Sequence, residues 1–114
     1  MSDKRTIGLT ADNRLIVEKL MSEFYFKEQI HVAKFGFAVA IKNDLSIGYS
    51  EGTDTIWNVG SFDSDGEIKA IITALYPEIQ EPYRVIEYLY NKGIEYIGIE
   101  IRDNRDFNIM DFMD

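Results

Sequence analysis

Apolar and polar positions fall into distinct periods along the chain, and the first forty residues carry the clearest ones. From Lys4 to Thr10 they alternate, with Ile7 and Leu9 on one side and Lys4, Thr6, Gly8 and Thr10 on the other. That period of two predicts a short strand. After Thr10, the expected N-cap, Ile16, Leu20 and Phe24 recur at i, i+4 and i+8, with Val17 and Met21 widening the stripe. This is the pattern of an amphipathic helix, and Asp12 in its first turn complements the helix dipole. The phase changes near Phe26 and Lys27, which predicts a turn. A second helix then runs from about Glu28 to Ile41 and is apolar on nearly every side: Ile30, Val32, Ala33, Phe35, Phe37, Ala38, Val39, Ala40 and Ile41.

Two features of this stretch call for a partner. A lone strand leaves its backbone groups unpaired, and no second strand is evident soon after it. A helix apolar all round must be covered on several sides. Gly36 costs about 1 kcal/mol relative to Ala in a helix interior, so close approach of another helix is its expected compensation. Residues 1–43 are therefore read as a dimerisation module, and a homodimer or higher homo-oligomer is expected.

From Asn43 to Ser64 the regular periods stop. Gly48, Ser50, Gly52, Thr53, Gly60 and Ser61 mark residues 44–64 as a connector, while Tyr49, Ile56, Trp57, Val59 and Phe62 make it apolar enough to lie over the core. Trp57 is either a contact residue or, the preferred reading, packed on the helices. Asp63-Ser64-Asp65-Gly66 does not fit a calcium loop, because Gly66 at position six puts Ile72 where a bidentate Glu is required. Ser64 or Asp65 is instead read as the cap of a helix carrying Ile68, Ile71, Ile72 and Leu75 and ending before Pro77. Pro82 opens a further helix with Val85, Ile86, Leu89 and Tyr90 buried, and Gly93 is read as its stop. Ile94 to Ile101 fits either a strand or a helix packed back, with helix preferred. Residues 65–101 thus form a helical extension, and residues 102–114 an acidic tail. The fold class expected is mainly α with a minor β part.

Strand, amphipathic helix, turn and buried helix in this order resemble the ribbon-helix-helix fold of small DNA-binding proteins. The residues concerned are Arg5-Thr6-Ile7-Gly8-Leu9-Thr10, then Ile16/Leu20/Phe24, then Ile30/Ala33/Phe37/Ile41. The resemblance implies a ribbon paired between two protomers and laid in the DNA major groove. Lys4, Thr6 and Gly8 would then face the bases, and Lys27 to Gln29 would meet a phosphate. The sequence departs from the family pattern in Gly8, which has no side chain to offer a base, and in the absence of a Ser or Thr cap on helix two. Trp57-Asn58 and Gly60-Ser61-Phe62-Asp63 are similar to an aromatic-Asn and Gly-aromatic-acid pattern of the DndE-type subunit of DNA sulfur-modification systems. That family is implied to bind DNA through a lysine-rich surface.

Charge and composition narrow the functional classes. The 114 residues carry a net charge of −8. Residues 1–43 hold seven Lys/Arg against five Asp/Glu, a net of +2, and residues 44–114 hold five against fifteen, a net of −10. Such asymmetry predicts a basic contact module joined to an acidic one. Cysteine is absent, which excludes disulfides, Cys-based zinc sites and thiol catalysis. The single histidine, His31, cannot form a His-rich metal site and is read as a packing or hydrogen-bonded residue. No triad context and no glycine-rich phosphate loop is present, so no enzyme and no cofactor is expected. Without a signal-peptide pattern or an apolar run of membrane length, a soluble cytoplasmic protein is expected.

The acidic tail alternates Asp106 and Asp111 with Phe107, Met110 and Phe112. That mixture suits either a segment that docks on a basic, apolar groove of a protein partner or a frayed terminus. Two functions follow. One is a non-enzymatic DNA-binding regulator or accessory subunit of a DNA-processing system. The other is an acidic protein-interaction subunit that uses the same fold to oligomerise without binding DNA.

Overall fold

The computed structural model describes residues 3–24, 26–50 and 52–103. They form a mainly α fold with one small antiparallel sheet. In order the elements are β1 (Thr6–Thr10), α1 (Ala11–Glu23), α2 (Gln29–Lys42), β2 (Thr53–Asn58), the single turn α3 (Val59–Phe62), α4 (Glu67–Leu75) and α5 (Pro82–Asp103). Strand, helix, turn and helix thus occur as the periods predict. Thr10 caps α1, its hydroxyl accepting from the Asn13 N–H at 3.2 Å.

The strand's partner, however, lies in the same chain. β1 pairs antiparallel with β2, Ile7 opposite Trp57 and Gly8 opposite Thr55. The register skips Ile56, which makes it the extra residue of a bulge. Thr53-Asp54-Thr55-Ile56-Trp57-Asn58 has the β-branched and aromatic content of a strand, but glycine and serine on both sides hid it inside the presumed connector. The ribbon expected between two protomers is therefore replaced by one within the chain.

The cover for α2 is also internal. Val32, Ala33, Gly36, Phe37, Val39 and Ala40 are buried, chiefly beneath α5. The two helices meet backbone to backbone at Gly36 and Gly93. A Cβ on Gly93 would stand 1.8 Å from the Gly36 carbonyl oxygen, and one on Gly36 would stand 2.8 Å from the Tyr90 carbonyl oxygen. Gly36 thus has the compensation its cost demands, supplied by this chain rather than a second copy. Gly93 is the crossing point and not a stop. α5 runs unbroken for 22 residues, and residues 94–101 are helical.

Carboxylates outside the helices, one distant and one adjacent in sequence, fix the helix starts. Asp3 accepts from the N–H groups of Tyr83 at 2.8 Å and Arg84 at 3.1 Å, satisfying the first turn of α5 behind Pro82. Asp63, rather than Ser64 or Asp65 alone, holds α4: its two oxygens accept from the Ile68 and Lys69 N–H groups, both at 3.0 Å. Asp65 adds a bond from the Glu67 N–H at 3.2 Å. Trp57 packs against Phe62 and Tyr90, with ring centroids 5.4 and 6.0 Å away, so its packing role is the one observed. Of the α4 stripe, Ile72 is buried and Ile68 partly so, but Ile71 and Leu75 face outward.

The crossing makes a direct prediction. Gly93→Val drives a side chain into the Gly36 backbone, which neither helix can yield without separating. It is expected to cost about 3 kcal/mol or more, read as a lowered urea midpoint at unchanged helix content in dilute buffer.

Candidate interaction surface

Beneath β1 lies a polar seam built on α5. Glu87, Tyr90 and Asn91 fall at i, i+3 and i+4 and so point together. The Glu87 carboxylate is fully buried. It accepts from the Gly8 N–H at 2.8 Å, the Lys4 ammonium at 2.6 Å and the Thr53 hydroxyl at 3.2 Å. The Tyr90 hydroxyl and the Asn91 amide donate to the Gly8 carbonyl, at 2.5 and 3.1 Å. Asn91 also accepts from the Thr10 N–H at 3.2 Å and from the Asn13 amide at 2.8 Å. Three side chains of a helix thus stand where a third strand would pair. Among the described residues every buried side-chain nitrogen and oxygen has a partner.

This seam determines what the expected nucleic-acid residues can do. Gly8 is buried, and a Cβ there would meet the Asp54 carbonyl oxygen at 1.6 Å. It faces protein, which corrects its placement on a base-reading face. Lys4 is paired with Glu87 and is not a free cation. Thr6 is half-buried opposite Asn58. Lys27 and Gln29 are exposed where α1 turns into α2, and Glu28 at the cap of α2 makes no side-chain capping bond. Lys4 and Gly8 are thus brought together against Glu87, not against solvent. Phe107, Met110 and Phe112 lie outside the described residues.

Little of the seam is chemically poised. Burial and the charge of Glu87 push the Tyr90 phenol well above its ordinary range. Burial, a hydrogen bond to Asp63 and the charges of Asp63 and Asp3 push Tyr83 up to about 12. His31 is exposed, 3.8 Å from the Glu28 carboxylate. Among the described residues no group of three His, Asp or Glu is arranged to hold a metal.

The remaining features of note are apolar and outward-facing. α1 and α5 run alongside each other and enclose a groove of about 550 Å³ lined by Asp12, Leu15, Ile16, Lys19, Glu95, Gly98, Ile99, Ile101 and Arg102. Ile16 reaches the floor because Gly98 has no side chain: a Cβ there would lie 2.7 Å from Ile16 Cδ1. Leu15 and Ile99 stand at the groove with 67% and 41% of their surface exposed. On α4, Ile71 and Leu75 are 44% and 51% exposed and lie one turn apart. Among the described residues no helix is long and apolar enough to cross a membrane.

The groove has a sequence signal that periodicity alone passes over. Leu15 is absent from the i, i+4 stripe of α1, and Ile99 breaks the helical phase of Ile94, Ile97 and Ile101. Large aliphatic residues out of phase with the buried stripe point away from the core. Glu87 had no comparable signal, because a glutamate beside an apolar stripe reads as solvated.

Searches against protein-family models, curated proteins and solved structures return no match for this chain.

The buried carboxylate and the two phenols each give a prediction. Lys4→Met strands a buried carboxylate and is expected to cost about 2–3 kcal/mol in urea unfolding. The double variant K4M/E87Q, which keeps an acceptor for the Gly8 N–H and removes the charge, recovers at least half of that loss. The phenols predict an alkaline limit. An ordinary tyrosine ionises near pH 10, so groups held neutral above that value stabilise the fold fully below about pH 10. That contribution is lost as the pH rises through about 12, where Tyr83 ionises. Phenolate absorbance is expected to show a late step that Tyr83→Phe removes, with Tyr90 ionising only on unfolding.

Proposed function

We propose that this chain is a non-catalytic assembly subunit, an acidic helical protein that joins protein partners through aliphatic side chains exposed on its helices. The observation that supports this is their pairing. Leu15 and Ile99 share one groove between α1 and α5, and Ile71 and Leu75 share one face of α4. Scattered exposed aliphatics are ordinary on any protein, whereas paired ones held at fixed spacing by rigid helices offer a surface another protein can match. The two faces lie on different helices, so the subunit has two places at which to bind.

The face on α4 has a recognisable chemistry. Glu67, Ile71 and Leu75 follow one another at four-residue intervals, with Glu78 just beyond, and all four are exposed. An apolar, basic surface is the complement of such a stripe. A net charge of −8 works against phosphate backbones and in favour of such partners. DNA binding would have to rest on Thr6, Lys27 and Gln29, since Lys4 and Gly8 are engaged with α5.

Affinity capture from cell extract at ~0.1 M salt tests this, using the wild type beside I71D/L75D and L15D/I99D. The substitutions lie on the surface, and circular dichroism checks that each variant is folded. A discrete protein partner is expected on the wild type and lost from at least one variant, while labelled duplex DNA is not bound. Capture equal in all three proteins, or association with DNA that weakens as salt rises, overturns the reading.

A further inference from the structure

The face formed by α1 and α5 is graded in charge along its length. Both helices run in the same direction there: the Asn13 amide donates to Asn91 at 2.8 Å, and further along Ile16 seats at Gly98. Asp12 and Glu95 therefore lie at one end of the groove, and Lys19 and Arg102 at the other. Each pair is separated by seven residues, about 10 Å of helix. Between the ends stand the exposed Leu15 and Ile99. The sequence of the groove lining is acid, apolar, base, with Lys92 3.7 Å from Glu95 beside the acidic end.

A face with this order is complementary to itself. A two-fold axis through its apolar middle, perpendicular to the helices, reverses the second copy. Its Lys19 and Arg102 then oppose Asp12 and Glu95 of the first, at both ends, while Leu15 and Ile99 meet their own counterparts. This is the requirement of an isologous contact, in which each residue meets the mate of its own partner. A parallel alignment would instead place like charges opposite at both ends.

We propose that the α1–α5 groove is a self-association surface, occupied by the same face of a second copy in antiparallel orientation. This rests on the assembly reading above and names the partner of one of its two faces. The α4 stripe is then left for a different protein. The contact involves about two helical turns from each element, the small end of specific interfaces, so the association is concentration-dependent. Its end charges are exposed, so it weakens with added salt.

Charge complementation tests this with the full-length chain. Mass in solution is measured by light scattering over a concentration series at low salt, and the wild type is expected to rise from 13.2 kDa towards twice that value. K19E/R102E makes both ends acidic, and D12K/E95K makes both ends basic. Each alone is expected to self-associate about tenfold or more weakly than the wild type. Mixed, the two are expected to form a heterodimer, which added Leu15→Asp abolishes; a folding defect cannot produce that rescue. Self-association untouched by the charge swaps, or no heterodimer on mixing, overturns the antiparallel contact. A wild type that stays at 13.2 kDa throughout overturns self-association itself. If such a monomer still captures a protein through Ile71 and Leu75, the assembly reading stands without this inference.

Discussion

The buried carboxylate of Glu87 is the constraint on which the rest of this structure depends. A charge taken out of water must be met in full, and here the partners come from the N-terminal segment and from β2. Lys4 supplies the counter-charge, Gly8 a backbone donor and Thr53 a hydroxyl. Because these lie on different elements, satisfying one side chain fixes the first strand, the second strand and the last helix to one another. Tyr90 and Asn91 complete the arrangement by donating to the Gly8 carbonyl. A glycine is required at position 8 because the Asp54 backbone crosses where a side chain would begin.

That seam also accounts for how much of the fold was legible. The strand, both N-terminal helices, the Thr10 cap and the proline start of α5 follow from local rules. Each depends on neighbours within a few residues. β2 was hidden because its alternation is short and flanked by glycine and serine. Gly93 has the local signature of a helix end, but a glycine's usual local meaning and its meaning at a helix crossing differ, and only the position of α2 distinguishes them. The second copy invoked to cover α2 and pair β1 was unnecessary for the same reason: the cover and the partner strand come from segments far along the chain.

The candidate surfaces were less legible than the core. Ile71 and Leu75 fit the apolar stripe of α4, yet α4 is short and meets the body mainly through Ile72 and Ile68. The base-reading residues carried by the ribbon resemblance depended on an open strand edge, and α5 occupies that edge. In place of a charged ribbon the chain presents paired aliphatic residues bordered by acids and bases. Recognition of that kind depends on shape and charge order over a whole face, which no single motif encodes.

The span of the seam has a consequence for how the chain is made. The bonds from Gly8 to Glu87 and Tyr90 link residues 79 and 82 apart in sequence, and those from α5 to Asp3 span 80 and 81. On the ribosome, β1 and β2 emerge and can pair long before α5 exists. Through that interval the far edge of β1 offers unsatisfied donors and acceptors to any neighbouring strand, a standing invitation to misassembly. Emergence of α5 closes it. A helix synthesised late thus seals a strand synthesised early.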